Sequence, residues 1–184
     1  MTFQKRFSNT LSILSNYTWS HSFDNVHNNE DNTGGQVPQN PNNVAAEKAE
    51  SGFDIRHRFV TNMVYNIPIG RPGTFLGGTS LGRQVFGGWQ VGGIFTAQGG
   101  YPLTPSVSPN PANSTTPERP NRVCNGNLDS GQRSIDAWYN VSCFTLPVAY
   151  TYGNSARDVI RIPGLVNLDF LADRTFSFTE RYRL

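Results

Sequence analysis

Thr10-Leu11-Ser12-Ile13-Leu14-Ser15-Asn16-Tyr17-Thr18-Trp19-Ser20-His21-Ser22-Phe23 alternates residue by residue. One set of positions holds Leu11, Ile13, Ser15, Tyr17, Trp19, His21 and Phe23. The other holds Thr10, Ser12, Leu14, Asn16, Thr18, Ser20 and Ser22. Successive side chains of a β-strand point to opposite faces, so this pattern marks a strand dividing a greasy, aromatic environment from a polar one. Strands of soluble domains usually run to about 5 or 6 residues. This one is far longer.

Three further segments repeat the pattern. Residues 53–67 set Phe59, Thr61, Met63, Tyr65 and Ile67 against Arg56, Arg58, Val60, Asn62, Val64 and Asn66. Residues 89–101 set Trp89, Val91, Phe95, Ala97 and Tyr101 against Gln90, Ile94, Thr96 and Gln98. Residues 166–178 set Val166, Leu168, Phe170, Ala172, Phe176 and Phe178 against Asn167, Asp169, Leu171, Asp173, Thr175 and Ser177. Arg174 interrupts the last apolar face only near its end, where a long cationic side chain can snorkel. A tilted strand crosses a bilayer in about 9 to 11 residues, and aromatics near both ends of the greasy faces suit its two interfaces.

The connections differ in length. Residues 24–52 and 102–165 are long polar stretches, residues 68–88 are shorter and Gly-rich, and residues 179–181 read as a tight turn. Barrels of the outer membrane carry long loops outside the cell and short turns in the periplasm. The expected fold is therefore all-β: an antiparallel transmembrane β-barrel, represented by an open curved sheet of four to five long strands. Its convex face should carry Leu11, Ile13, Tyr17, Phe59, Met63, Tyr65, Val91, Phe95, Leu168 and Phe170. Residues 24–52 and 102–165 would be extracellular, and residues 68–88 and 179–181 periplasmic.

Composition agrees. Of the 184 residues 36% are hydrophobic, 12% aromatic and 15% charged, with a net charge of +2, which is unlike a disordered chain. The mean hydropathy of -0.45 does not count against a barrel, whose strands alternate between lipid and lumen. No window approaches the apolar length of a membrane helix. No basic stripe is present to neutralise nucleic-acid phosphates. Met1 to Ser8 lack the apolar core of a secretory signal.

The residue strings point to a family. Lys5-Arg6-Phe7-Ser8-Asn9 followed by Tyr17-Thr18-Trp19-Ser20-His21-Ser22, Phe53-Asp54-Ile55-Arg56-His57-Arg58-Phe59-Val60, and Gly87-Gly88-Trp89-Gln90-Val91-Gly92-Gly93-Ile94 come first. Gly99-Gly100-Tyr101-Pro102-Leu103-Thr104, Arg119-Pro120-Asn121, Trp138-Tyr139-Asn140, Tyr152-Gly153-Asn154-Ser155, Arg161-Ile162-Pro163-Gly164 and Thr179-Glu180-Arg181 follow in order. Together they resemble the C-terminal half of the barrel of Oar-like TonB-dependent receptors. The resemblance implies an outer-membrane transporter of a Gram-negative bacterium, in which a barrel surrounds an N-terminal plug and uptake is powered by the inner-membrane TonB complex. No plug or TonB-contacting segment is found here, so the chain is expected to be a fragment that could not transport alone. Its expected partners are outer-membrane lipid, the remainder of its own barrel and plug, the TonB complex through that plug, and an unidentified extracellular substrate.

Few residues suggest chemistry. Asp54, Arg56 and Arg58 share the polar face of the second segment and are expected to form a charge ladder along the lumen, with Asp169 and Asp173 also lumen-facing. Lumen charges tune selectivity in barrels. Cys124 and Cys143 are the only cysteines, fall in one extracellular segment and are expected to pair in an oxidising compartment. His21, His27 and His57 lack metal-site spacing, and no nucleophile elbow, phosphate loop or metalloprotease helix occurs. No enzyme activity, metal or cofactor is expected. The acids Asp24, Glu30, Asp31, Glu47 and Glu50 outnumber Lys48 in the first long loop, which reads as a solvated surface or, more sharply, as a device that recruits cations. The competing reading of the whole chain is a secreted or surface β-sandwich whose long loops bind a carbohydrate or a protein.

Overall fold

The computed structural model describes residues 1–6, 10–25, 38–70, 73–75, 77–79, 85–179 and 182–183. Its main element is a five-stranded sheet made of β1 (Thr2–Arg6), β2 (Leu11–Trp19), β3 (His57–Asn66), β4 (Trp89–Gln98) and β5 (Leu165–Arg174), side by side in chain order. The pairings of β1 with β2, β3 with β4 and β4 with β5 are antiparallel. β2 and β3 are neighbours, joined by a hydrogen bond from Asn66 N–H to Thr10 O and by the Ser15 and Thr61 hydroxyls at 3.0 Å. Each strand thus lies beside its sequence neighbour, the up-and-down order of a barrel wall.

The register fixes the faces. Directly opposed residues point the same way, so Phe59↔Ala97, Thr61↔Phe95, Met63↔Gly93 and Tyr65↔Val91 continue across β4 into Val166, Leu168, Phe170 and Ala172. Through Ser15 and Thr61 the same face takes in Leu11, Ile13 and Tyr17. The greasy positions of the four sequence segments therefore form one continuous face. It is not folded into a core. Leu168 is 67% exposed, Phe170 and Val166 are each 72% exposed, and Phe59 and Met63 are also exposed. A β-sandwich would bury such a face against a second sheet. Here the sandwich reading loses its main requirement.

Strand ends differ from the sequence-based expectation. The segment at 10–23 belongs to the main sheet over Leu11–Trp19, and that at 53–67 over His57–Asn66. The third stops at Gln98, short of Tyr101, and the fourth runs Leu165–Arg174, short of Phe178. Beyond those bounds Ser20 N–H still donates to Arg56 O and Ile67 N–H to Trp89 O, whereas Ser22 N–H donates to the Asp54 carboxylate and Tyr101 O accepts from Ile162 N–H. β1 was not expected: Thr-Phe-Gln-Lys-Arg is short, and Lys5 interrupts its apolar side. Ser177–Thr179 pairs with Tyr182–Arg183, and Thr179↔Tyr182 is the last pair before the expected turn. Residues 180–181 of that turn, and parts of the connection 68–88, lie outside the described residues.

The chain divides into two compact units. One holds the sheet. The other gathers residues 19–56 and 99–164, the two long connections. Apart from glycines, the described residues that are buried all fall in this loop unit, among them Ile160, Cys143, Pro120, Ser51, Asp54 and Glu118. Short strand pairs brace it: Phe23–Asp24 with Ala49–Glu50, Pro102–Leu103 with Ile160–Arg161, and Asn121–Arg122 with Phe144–Thr145.

Candidate functional site

The loop unit is held by charge more than by grease. Its buried apolar side chains are Ile160, Cys143, Pro102, Pro120 and Pro147, whereas Gln39, Glu47, Ser51, Asp54, Glu118, Arg119, Ser155, Arg157 and Asp158 are all buried. Isolated buried charges are costly, so their partners decide whether such a core stands.

Those partners come mostly from the opposite loop. Arg119 donates to both carboxylate oxygens of Glu47, at 2.5 Å and 3.0 Å, the bidentate fork that suits a guanidinium. Arg157 donates from Nε to the Glu47 carbonyl at 3.0 Å and from Nη2 to the carbonyl and carboxylate of Asp24, while its Nη1 lies 3.6 Å from Asp158. Gln39 stitches the same seam: its Nε2 donates to Gly153 O at 2.9 Å, and its Oε1 accepts from Arg119 N–H at 2.8 Å. Gly153 admits this close approach, since a Cβ there would lie 2.0 Å from Arg119 O.

Asp54 anchors a second cluster. It accepts from Ser22 N–H at 2.8 Å and from Arg161 Nη2 at 2.6 Å, and its own carbonyl accepts from Arg161 Nη1 at 2.9 Å. Arg161 also pairs with Glu50, which in turn pairs with Arg56. Burial, the strongest influence on the Asp54 carboxyl, resists its ionisation. Hydrogen bonds from Arg161, Ser22 and His21, with the positive charge of Arg161, outweigh it and hold the carboxyl below the usual Asp range.

Two expectations change as a result. Asp54 and Arg56 precede β3 and belong to the loop unit; they keep an ion pair, Arg56 Nε to Asp54 Oδ2 at 3.9 Å, but lie ahead of the strand that carries Arg58. Asp54 is drawn out of line by Arg161 and Ser22, and only Arg58 stays on the sheet, opposite Gln98. The first loop's acids are not merely solvated either, since Asp24, Glu47 and Glu50 each meet an arginine of the second loop. Glu30 and Asp31 lie outside the described residues. Asp169 and Asp173 sit on the polar face of β5, opposite Ile94 and Gln90. Among the described residues no group of three or more His, Cys, Asp or Glu side chains is arranged to hold a metal ion.

Cys124 and Cys143 are joined by a disulfide with their Cα atoms 4.9 Å apart. It ties the segment after Asn121–Arg122 to the short helical turn Val141–Cys143, and Val123 N–H donates to the Cys143 carbonyl at 2.9 Å. Sequence reading missed Glu47, Arg119, Arg157 and Arg161 as a network. Its only trace was in the charges: the first loop holds five acids and one lysine, while the second holds five arginines, at 119, 122, 133, 157 and 161, beside four acids, Glu118, Asp129, Asp136 and Asp158.

No curated protein and no solved structure matches the chain. The family described as an outer membrane beta barrel domain matches it over residues 1–184. Neighbour-to-neighbour antiparallel strands with an uncovered apolar face are what a wall of such a barrel requires. The chain belongs to the outer membrane beta barrel domain family and resides in the outer membrane of a Gram-negative bacterium.

Proposed function

We propose that this chain forms part of the barrel of an Oar-like TonB-dependent receptor that takes up an extracellular substrate with energy supplied through the TonB complex. The observation that carries this reading is the loop unit. Residues 19–56 and 99–164 link β2 to β3 and β4 to β5, so both leave the same end of an antiparallel sheet. Long loops mark the extracellular end of a barrel, and a pair cross-linked by buried arginine–carboxylate bonds offers a preorganised surface for capture. The strings that resemble the family fall where strands begin and end. Arg56-His57-Arg58 opens β3, Gly87-Gly88-Trp89 opens β4, Gly99-Gly100-Tyr101-Pro102 follows β4, and Arg161-Ile162-Pro163-Gly164 precedes β5.

In this reading the apolar face meets lipid, and Arg58, Asp169 and Asp173 face the lumen, where they bias which solutes pass. The outer edges of β1 and β5, unpaired among the described residues, meet further strands of the same barrel, since open edges are not tolerated in lipid. The decisive experiment is cross-linking of the complete protein to the periplasmic domain of TonB. The expected result is a specific adduct. Its absence in every substrate condition would leave a passive barrel in place of an energised receptor.

A further inference from the structure

The greasy face is defined by register, so its charges can be placed along it. Across the five strands, Lys5 and Arg174 are its only Lys, Arg, Asp or Glu residues. Both are cations. They also lie at the same end: Lys5 is paired with Ile13 one residue before β1 stops, and Arg174 is paired with Trp89, where β5 ends and β4 begins. The polar face, by contrast, carries both signs, with Arg58, Asp169 and Asp173 at separated heights.

Arg174 is held in a prepared seat. Its Nε donates to Gly87 O at 3.2 Å, and its guanidinium lies 4.1 Å from the ring centre of Phe176 and 5.6 Å from that of Trp89. The seat depends on Gly88, whose φ of +81° is a left-handed conformation and whose carbonyl accepts from Thr175 N–H at 3.0 Å. A Cβ on Gly88 would come within 2.4 Å of Thr175 O. Phe86, Trp89 and Phe176 are exposed around this end, so an apolar rim surrounds the cation. A guanidinium at the rim of an apolar face, flanked by aromatics, matches the height in a bilayer where acyl chains give way to phosphodiesters.

We propose that Arg174 and Lys5, on the two outermost strands, each bind the phosphate of a separate glycerophospholipid headgroup in the leaflet at this end of the sheet, Arg174 being the better prepared of the two. Trp89 and Phe176 hold the guanidinium plane so that its fork meets the phosphodiester oxygens. The proposal rests on the lipid-facing assignment of the apolar face, and its test separates the two.

The complete protein, folded in phosphatidylcholine bilayers, is given either spin-labelled phosphatidylglycerol or spin-labelled diacylglycerol, each labelled at the same acyl carbon. The motionally restricted boundary population is expected to favour phosphatidylglycerol by about fivefold or more, and high salt should reduce that preference. The preference is expected to fall in R174Q and in K5Q separately, and to vanish in the double variant. R174K, which keeps the charge but loses the fork, should retain part of it. Inorganic phosphate should lower the preference no more than sodium chloride at the same ionic strength; its abolition by phosphate but not by the matched chloride would assign the site to a free anion and overturn the lipid proposal. Equal populations of the two probes in the unaltered protein, or a preference that survives R174Q/K5Q, would also overturn it. A lack of any restricted lipid with either probe would instead contradict the lipid-facing assignment.

Discussion

Arg119 grips both carboxylate oxygens of Glu47 across 72 residues of sequence, with both side chains buried. The pair belongs to two different connections of the sheet, and it is one of several bonds, with those of Arg157, Arg161 and Gln39, that tie the long loops together. Glu47→Gln leaves a buried guanidinium without its counter-charge and is expected to destabilise the loop unit by about 3 to 5 kcal/mol. Hydrogen exchange of the complete protein should show protection lost in residues 38–56 and 99–164 while β3, β4 and β5 stay protected. Uniform loss across strands and loops, or no loss, would contradict this division.

The disulfide acts on the same unit by a different route. Cys124 and Cys143 are 19 positions apart, and cross-linking a loop of that length removes denatured-state entropy amounting to about 3 kcal/mol. The double Ala variant is expected to lower loop stability by roughly that much. Denaturation followed with and without reductant checks it: reductant should weaken the unaltered protein and leave the variant unchanged.

Acid should loosen the second cluster. The Asp54 carboxyl is held below its ordinary value in the folded state, so its stabilising contribution is fully present above about pH 4 and is lost as pH falls through the lowered value. Asp54→Asn removes that component, so the variant should start less stable at neutral pH and show a shallower decline on acidification. Parallel acid titrations of loop stability for the two proteins test this. Identical slopes would remove Asp54 from the account.

The two faces of β5 should respond differently to charge. Leu168, opposite Phe95, lies mid-strand on the apolar face, whereas Asn167, opposite Thr96, lies on the polar one. Leu168→Arg is expected to cost about 2 to 4 kcal/mol in folding into bilayers, and Asn167→Arg much less. Urea titrations of the complete protein in lipid give both values, and equal costs would reverse the assignment of the faces.

Much of the sheet was legible because its pattern is local. Leu11 to Trp19 needs only its own alternation to be read, and so do Phe59 to Tyr65 and Leu168 to Ala172. Strand ends were less legible, since they are set by remote partners. Asp54 leaves the line of β3 for Arg161, 107 residues away, and nothing within 53–67 announces that bond. The ionic core was illegible for the same reason: Arg157 reaches Asp24 across 133 residues and Glu47 across 110. The cysteines were easier, because two in one segment leave a single intramolecular pairing. β1 escaped notice because five residues with Lys5 among them carry too little alternation.

The central claim is that β1 to β5 form a stretch of membrane-embedded barrel wall with its apolar face toward lipid. A nitroxide scan of residues 165–174 in the complete protein, folded in bilayers, tests it most directly. The account predicts collision with oxygen, which partitions into lipid, at 166, 168, 170 and 172, and collision with a water-soluble nickel chelate at 167, 169, 171 and 173. Collision patterns without this period of two, or a nickel-accessible apolar face, would contradict it.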